Sequence, residues 1–198
     1  MSQPQPQSPP QSPASRPPQP GSQPAAIVQK GLHPLPAPVK GAVITVSDRC
    51  AAGEREDASG PLAVELLRAH DVIVEGVVVV PDGVEPVRAA IAEAVASGAR
   101  VVLTTGGTGV TPRDLTPEGT APLLTARMEG IEAQIRAYGL TKTPLSSLSR
   151  GLVGVTSREA TGALVVNAPG SRGGVKDTVA VVGPLVPHVL EQLGGGDH

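Results

Sequence analysis

The sequence predicts an α/β domain with a mostly parallel sheet. Beyond residue 38, short β-branched runs alternate with segments whose apolar residues recur at helical spacing, as expected of strands joined by crossover helices. Most of these runs are almost continuously apolar, which is typical of strands covered on both faces. We therefore expect a buried sheet with helices packed against it.

Five runs have the length and composition of β-strands. In chain order they span residues 42–46, 72–80, 100–104, 152–156 and 163–166. A polar connection that contains glycine separates the last two runs, so they are predicted to form a hairpin. One strand of this pair must then run antiparallel to its neighbour.

Four helices are predicted, and the clearest has apolar residues at positions i, i+3, i+4, i+7 and i+8. These residues are Val87, Ala90, Ile91, Ala94 and Val95. An earlier helix is expected to follow Ser59 as its N-cap, with Pro61 in the first turn. The other two helices are expected over residues 130–138 and 184–193.

The N-terminal segment has a different composition from the rest of the chain. Residues 1–24 contain nine Pro, six Gln and five Ser, types that bury too little apolar surface to offset the entropy lost on ordering. We predict a disordered tail over residues 1–38 and one domain over residues 39–198. At 198 residues, the chain leaves enough sequence outside the tail for one sizeable core.

The composition argues against several classes of function. The formal net charge is −2 and Tyr138 is the single aromatic residue, so no nucleic-acid partner is expected. Cys50 is the lone cysteine and the four histidines show no metal-ligand spacing, so neither an internal disulfide nor a zinc site is expected. The sequence also shows neither a membrane-length apolar run nor a signal peptide, which predicts a soluble, cytoplasmic protein without a membrane partner.

The candidate site lies where the predicted strands end, because loops after the carboxyl ends of parallel strands meet at one edge of a sheet. Four such loops are polar and rich in glycine, and we refer to them as strand exits. In chain order they cover residues 47–60, 81–83, 104–118 and 167–171. We expect the four exits to share a cleft.

The third strand exit contains Gly106, Gly107 and Gly109. Glycines let the backbone adopt positive φ and approach an anion closely, and successive N–H groups can form a concave nest. This favours recognition of a phosphate or a pterin, whereas the simpler interpretation is a tight strand-to-helix turn. The chain has no Gly-Lys pair of a Walker loop, and Pro112 replaces the third glycine of the dinucleotide fingerprint.

Asp82 and Asp114 follow the second and third strands, where their loops could bring two carboxylates to one Mg²⁺ ion. The alternatives are that Asp82 belongs to a Pro-Asp-Gly turn and that Asp114 caps the turn before Leu115. Ser171, in the fourth strand exit, is either an N-cap or the start of an anion-binding helix.

Seven polar or glycine-containing segments stand out, and six of them overlap these exits. They are Thr45-Val-Ser-Asp-Arg49, Asp57-Ala-Ser-Gly60, Val80-Pro-Asp82, Leu103-Thr-Thr-Gly-Gly-Thr-Gly109, Arg113-Asp-Leu-Thr-Pro-Glu118, Leu148-Ser-Arg150 and Asn167-Ala-Pro-Gly170. In this order, over residues 39–193, they resemble the molybdenum-cofactor biosynthesis proteins of the MogA/MoaB type and the related plant G domain. Leu115, where Val is commoner, and the N-terminal tail depart from the pattern of the compact bacterial members.

The resemblance implies a three-layer α/β/α molybdopterin-binding fold, usually assembled as a homotrimer. Catalytic members bind molybdopterin and transfer AMP from ATP to its terminal phosphate with Mg²⁺, releasing pyrophosphate. Asp82 and Asp114 match the family's essential acidic pair and would be both catalytic and metal-binding. The other matching positions would bind substrate: Ser47, Asp48, Asp57, Ser59, Gly60, Thr105, Gly106, Gly107, Thr108, Gly109, Glu118, Pro169, Gly170 and Ser171.

Two alternatives to an adenylyltransferase stay open. The chain could be a non-catalytic molybdopterin-binding or scaffolding paralogue, in which the tail recruits other molybdenum-cofactor biosynthesis proteins. It could also be a molybdate-inserting domain, although that activity ordinarily belongs to longer chains with additional domains.

Overall fold

Strands and helices alternate along most of the computed structural model, which describes residues 33–196. The strands of this part are β1 Val39–Val46, β2 Val72–Ile73, β3 Val77–Val80, β4 Val101–Thr105, β5 Ala126–Arg127, β6 Val153–Val155 and β7 Leu164–Ala168. The α-helices are α1 Asp48–Ala51, α2 Gly60–Arg68, α3 Val84–Ala96, α4 Thr116–Thr120, α5 Glu129–Leu140, α6 Arg172–Val182 and α7 Val186–Leu193. In the part of the chain that the structure describes, no helix is both long and apolar enough to cross a membrane.

The sheet is mostly parallel, as predicted. Its strand order is β2-β1-β4-β7-β6-β5, and β3 pairs with β1 beyond the two residues that β2 occupies. The pairs that β1 makes with β2, β3 and β4, and the pair of β4 with β7, are parallel. Strand β6 runs antiparallel to β7, which confirms the predicted hairpin, and β5 runs antiparallel to β6.

Apolar side chains cover both faces of the central strands. Along β4, Val101 and Leu103 belong to the core cluster that includes residues of α2, α6 and α7, whereas Val102 belongs to the cluster that includes Val87 and Ile91 of α3. Successive strand residues point to opposite faces, which explains this alternation. The sheet therefore lies between two helical layers, which confirms the α/β/α architecture.

The prediction of a single strand over residues 72–80 is wrong. The chain forms β2 and β3 instead, and residues 74–76 separate them. Strand β3 lies at the sheet edge, where Val78 is 52% and Val79 is 39% exposed. The run of valines reflects a preference for extended backbone, and that preference is the same for an edge strand and a buried central strand.

The four predicted helices are present as α2, α3, α5 and α7. Ser59 is the N-cap residue of α2 and Pro61 lies in its first turn, as predicted, although the Ser59 side chain makes no cap hydrogen bond. Pro184 lies in a 3₁₀ turn, Gly183–Leu185, that precedes α7, while Pro187 lies in the first turn of α7. The sequence does not predict α6 beyond its start, because two glycines in its first turn weaken the helical pattern.

Part of the segment assigned to the tail contacts the domain. Leu35 packs against the core cluster on one face of the sheet, and His33 Nε2 lies 2.8 Å from Glu191 Oε2 on α7. Residues 1–32 and 197–198 lie outside the described residues, so the disordered tail stays a prediction.

Candidate functional site

Three parallel strands end at the same level of the sheet. Strands β1 and β4 pair Thr45 with Thr105, and β4 and β7 pair Thr105 with Ala168. The loops that follow these strands therefore start side by side, as expected for the strand exits.

A cavity of about 670 Å³ opens at this edge. The predicted site residues that line it are Gly106, Gly107, Thr108, Gly109, Asp114, Pro169, Gly170 and Ser171. Others lie outside its wall: Ser47, Asp48, Asp57, Ser59, Gly60, Asp82, Thr105 and Glu118. The third and fourth strand exits thus share one cavity, and the first contributes Arg55 to it.

Two glycine turns approach each other at the cavity wall. Gly106 has a φ of 107°, and a Cβ atom there would lie 2.3 Å from the carbonyl oxygen of Val46. A Cβ atom on Gly170 would lie 3.2 Å from Gly106 Cα. Side chains at these positions would separate the loops, so glycine keeps both backbones close together and open to a ligand.

A buried hydrogen-bond network fixes these turns from behind. Asn167 Nδ2 donates to Thr104 Oγ1 and to Thr120 Oγ1, each at 3.0 Å. Thr116 Oγ1 donates to the carbonyl oxygen of Gly106 at 2.9 Å. Asn167 and the three threonines are buried, where an unpaired polar group would be costly. The network therefore holds β4, β7 and α4 in one arrangement.

The first turn of α6 contributes to the cavity wall. Ser171 Oγ accepts a hydrogen bond from Gly174 N at 3.0 Å, which confirms the N-cap interpretation. The N–H groups of Arg172 and Gly173 donate no hydrogen bond within the described residues. A helix N-terminus with unpaired N–H groups attracts anions, so the N-cap role and anion binding are compatible.

Three cationic side chains that belong to no predicted motif also line the cavity: Arg55, Arg136 and Lys142. Lys142 forms an ion pair with Asp177 of α6, and its Nζ lies 4.5 Å from the ring centroid of Tyr138. Sequence spacing gives no signal for Arg136 and Lys142, because α5 and the loop after it are brought to the cavity by packing against α6. Two carboxylates, Asp114 and Asp177, line the same cavity, so its three cations leave an excess of one positive charge, which favours an anionic ligand.

The Asp114 carboxylate lies at the cavity and closes its own turn. Its Oδ2 accepts a hydrogen bond from Thr111 N at 2.8 Å, which supports the turn-capping interpretation. Burial raises the pKa of Asp114, but hydrogen bonds from Thr111 and Gly109 and the charge of Arg150 outweigh burial and lower this pKa below its ordinary value. The carboxylate is therefore ionised at neutral pH. Because a carboxylate offers about four lone-pair positions, it can also contact a cation.

Asp82 and Asp48 are joined at the same edge by two hydrogen bonds, each from the backbone N–H of one residue to the carboxylate of the other. Asp48 N donates to Asp82 Oδ2 and Asp82 N donates to Asp48 Oδ1, each at 3.0 Å. Arg113 Nη1 lies 3.7 Å from Asp48 Oδ2, so Asp48 connects Asp82 to the loop that carries Asp114. Within the described residues, Asp82 Oδ1 accepts no hydrogen bond and can contact a cation.

The side chains of Ser47 and Thr105 form hydrogen bonds with backbone groups and do not line the cavity. Ser47 Oγ accepts a hydrogen bond from Cys50 N at 3.3 Å and thereby caps α1. Thr105 is buried, and its hydroxyl donates to the carbonyl oxygen of Pro169 at 3.1 Å. Both residues shape the loops on which the cavity depends.

Both oxygens of the Asp57 carboxylate accept hydrogen bonds from neighbouring groups of the protein. Its Oδ2 accepts a hydrogen bond from Thr45 Oγ1 at 2.6 Å. Its Oδ1 accepts from the N–H and hydroxyl groups of Ser59 and from Gly60 N, each at 3.0 Å. These bonds join β1 to the start of α2. The substrate-binding role predicted for Asp57, Ser59 and Gly60 stays a prediction.

We expect Asp57→Asn to lower the free energy of unfolding by about 1–2 kcal/mol at pH 7, because an amide accepts hydrogen bonds less strongly than a carboxylate. Burial raises the pKa of Asp57, but the donors from Gly60, Thr45 and Ser59 outweigh it and lower this pKa below its ordinary value. The carboxylate's contribution is therefore complete above its unfolded pKa of about 3.9 and is lost as the pH falls through the folded value. Urea unfolding should show a smaller difference between wild type and variant in acid than at pH 7, and a constant difference would contradict this.

Arg150 ties the glycine run to the acidic loop. Its backbone N donates to Thr108 O at 2.9 Å, its Nε to Gly109 O at 2.7 Å and its Nη2 to Asp114 O at 2.5 Å. Its Nη1 lies 2.5 Å from Glu118 Oε1, and this bond raises the pKa of Arg150 and lowers that of Glu118. Arg150 is thus a positioning residue, and it holds Glu118 away from the cavity wall. The segment Leu148-Ser-Arg150 is part of the family resemblance, but the resemblance assigns no role to Arg150.

The sequence is similar to proteins whose names refer to molybdopterin or to the molybdenum cofactor. Residues 42–188 match the family described as "Probable molybdopterin binding domain". A molybdopterin adenylyltransferase from Pyrococcus furiosus is 39% identical over 165 residues, which cover 83% of this chain and 96% of that protein. A molybdenum cofactor biosynthesis bifunctional protein from Synechococcus elongatus is 41% identical over 79% of this chain and 48% of its own length. The chain therefore spans about half the length of such bifunctional relatives, and less of some others.

Solved structures agree with these sequence matches. A molybdopterin biosynthesis protein from Mycobacterium abscessus superposes with a TM-score of 0.73 and 42% identity, covering 78% of this chain and 96% of that chain. The tungsten cofactor synthesizing protein MoaB from Pyrococcus furiosus gives a TM-score of 0.74 and 38% identity, covering 79% and 97%. Since the family match covers most of the described domain, this chain belongs to the MogA/MoaB-type family of molybdenum cofactor biosynthesis proteins.

Proposed function

We propose that this chain is a molybdopterin adenylyltransferase, which transfers AMP from ATP to the terminal phosphate of molybdopterin. The observation that carries the proposal is the cavity surrounded by two glycine turns, the N-terminus of α6 and three cationic side chains. Such a wall suits a ligand with phosphate groups. The relative from Pyrococcus furiosus that bears this name, and that the chain matches over almost its full length, supports the same activity.

The residues of the cavity align the reacting groups and neutralise charge on the phosphates, which is most of what nucleotidyl transfer requires. The glycine turns and the first turn of α6 would bind phosphate oxygens, and Arg55 and Arg136 would offset their charge. A terminal phosphate oxygen of molybdopterin then attacks the α-phosphorus of ATP. The bond from that phosphorus to the bridging oxygen breaks, and pyrophosphate leaves with the electron pair.

The cavity offers aliphatic rather than aromatic contacts to a ring. Ile135, Leu145 and Leu148 line it, and Leu145 and Leu148 are 68% and 54% exposed. When a ligand covers exposed apolar side chains at a cavity mouth, the free energy of the complex is lowered. We propose that they contact the pterin ring.

The acidic residues at this edge fit Mg²⁺, which prefers oxygen ligands and keeps places for substrate phosphates. Asp82 Oδ1 is free of hydrogen bonds within the described residues, and Asp114 is ionised at neutral pH. We propose that these two carboxylates hold the ion, which when bound would neutralise charge on the phosphate oxygens.

Incubation of the chain with molybdopterin and Mg·ATP tests the proposed activity. We expect adenylylated molybdopterin and pyrophosphate in equal amounts. Binding of molybdopterin without pyrophosphate release would instead favour the non-catalytic or scaffolding paralogue. A second incubation, with adenylylated molybdopterin and molybdate, tests the molybdate-inserting alternative. Consumption of adenylylated molybdopterin only when molybdate is present, together with no AMP transfer in the first incubation, would favour that alternative.

We expect Arg150→Lys to lower kcat/KM by about 10- to 100-fold, because lysine cannot reproduce the hydrogen bonds of the guanidinium to three residues at once and small displacements of reacting groups are costly. Arg158→Lys is a matched control, since Arg158 is exposed in the turn between β6 and β7. Steady-state kinetics of both variants check this prediction. Equal kcat/KM values for the two would show that Arg150 does not position the site.

We also propose a homotrimer in the cytoplasm that works with other molybdenum cofactor biosynthesis proteins, as the resemblance implies. Light scattering on the purified chain tests the assembly. A particle of three times the chain mass would support a trimer, and a monomer would contradict it.

A further inference from the structure

A second group of polar side chains converges where the segment before β1 meets α7. His33 Nε2 lies 2.8 Å from Glu191 Oε2, and His188 Nδ1 lies 3.8 Å from the same oxygen. One ligand atom from each of the three residues lies within 4.8 Å of the others. None of these residues lines the cavity described above. Because His33 precedes the start of β1, the group lies away from the strand exits.

We propose that His33, His188 and Glu191 bind a divalent transition-metal ion, for which Zn²⁺ is the test ion. Two imidazole nitrogens and a carboxylate oxygen form a typical open zinc site, with bonds of about 2.0–2.2 Å and neighbouring tetrahedral ligands therefore about 3.3–3.6 Å apart. The two observed separations bracket this range. The side chains are 44–48% exposed, so small rotations can bring them to an ion.

The donor types separate this group from the proposed Mg²⁺ site. Imidazole nitrogen suits Zn²⁺ and other late transition ions, whereas Mg²⁺ prefers oxygen ligands alone. His188 and Glu191 are three positions apart on α7 and so share one face of the helix. His33 completes the set from the other segment, which leaves a fourth position for water.

Neighbouring groups can orient both imidazoles for metal binding. His33 Nδ1 lies 3.3 Å from the carbonyl oxygen of Pro34, an acceptor that favours a proton on Nδ1 and leaves Nε2 for the metal. His188 Nε2 lies 2.9 Å from the amide nitrogen of Gln192. A flip of this amide would present its oxygen to a protonated Nε2 and leave His188 Nδ1 for the metal.

A bound ion would join distant parts of the chain. His33 and Glu191 are 158 positions apart, which is why histidine spacing in the sequence does not reveal the site. Leu35 already packs on the core two residues after His33. The ion would therefore fix the point at which the N-terminal tail leaves the domain, and its binding would stabilise the folded chain by linkage.

Titration of the tag-free full chain with zinc chloride, after metal removal by a chelator, tests the site. Calorimetry should show one ion per chain with a micromolar or lower Kd, and zinc should raise the midpoint of thermal unfolding. His33→Gln and Glu191→Gln should each weaken binding by about 10-fold or more and remove most of the thermal shift. Magnesium chloride at the same concentration should not compete.

Two controls keep the result specific. His198→Gln removes a histidine outside the described residues and should bind zinc like wild type. The Asp82→Asn, Asp114→Asn double variant should also bind zinc like wild type, because the site does not depend on the proposed adenylyltransferase activity. The proposal is overturned if wild type does not bind micromolar zinc, if His33→Gln and Glu191→Gln bind it unchanged, or if either control loses binding.

Discussion

Asp114→Asn is expected to reduce the rate of AMP transfer by about 100- to 1,000-fold, and Asp82→Asn by a similar factor, the size typical for loss of one fixed electrostatic contact to a transition state. Each change removes a negative oxygen where we place Mg²⁺ and the phosphates, and each keeps the side-chain shape. The asparagine oxygen can still accept the hydrogen bonds that Thr111 N and Asp48 N donate. Initial rates of pyrophosphate release at saturating ATP and molybdopterin measure the effect.

Glu75→Gln is the matched control for both aspartate variants. Glu75 is exposed between β2 and β3, and it does not line the cavity. The same loss of one negative charge should leave the rate unchanged there. If the two aspartate variants are folded by circular dichroism and transfer AMP as fast as Glu75→Gln, the acidic pair has no role in the reaction.

Gly106→Ala is expected to lower the free energy of unfolding by about 3–5 kcal/mol, which combines backbone strain with overpacking. The φ of 107° is one that residues with a side chain rarely adopt, and the new methyl group would meet the Val46 carbonyl oxygen at 2.3 Å. Val46 ends the central strand β1 and is buried, so it cannot move aside cheaply. Urea unfolding followed by circular dichroism measures the loss.

Gly130→Ala gives the same chemical change without the strain. Gly130 lies in α5, and a Cβ atom there would have no neighbour within 4 Å. Alanine should stabilise this helix by up to about 1 kcal/mol. If both variants unfold at the same urea concentration, the close approach of Gly106 to β1 does not constrain the fold.

Sequence patterns predict the parts of the fold whose environment is set locally. Helix α3 and strand β4 are examples. Apolar spacing identifies the buried face of α3, and a continuous apolar run identifies β4, which is buried on both faces. The division of residues 72–80 into β2 and β3 is not local, since it depends on how both pair with β1. Strand position within a sheet is decided by such long-range pairing, which a run of valines does not encode.

The candidate site shows the same division. The glycine run and Asp114 could be predicted to lie at one edge, because glycines and carboxylates mark strand exits in the sequence. Arg136 and Lys142 could not, because they reach the cavity through the packing of α5 on α6. Asp57 is a different case. The sequence identifies it as a candidate site residue, but it does not show that Thr45 and Gly60 donate hydrogen bonds to its carboxylate.

A crystal structure of the chain with molybdopterin bound tests most directly whether the cavity between the glycine turns is the binding site. We expect the phosphate within hydrogen-bond distance of backbone N–H groups around Gly106 or Gly170, with Arg136 beside it. Density for molybdopterin elsewhere, for example beside His33 and Pro187, would contradict the assignment of this cavity.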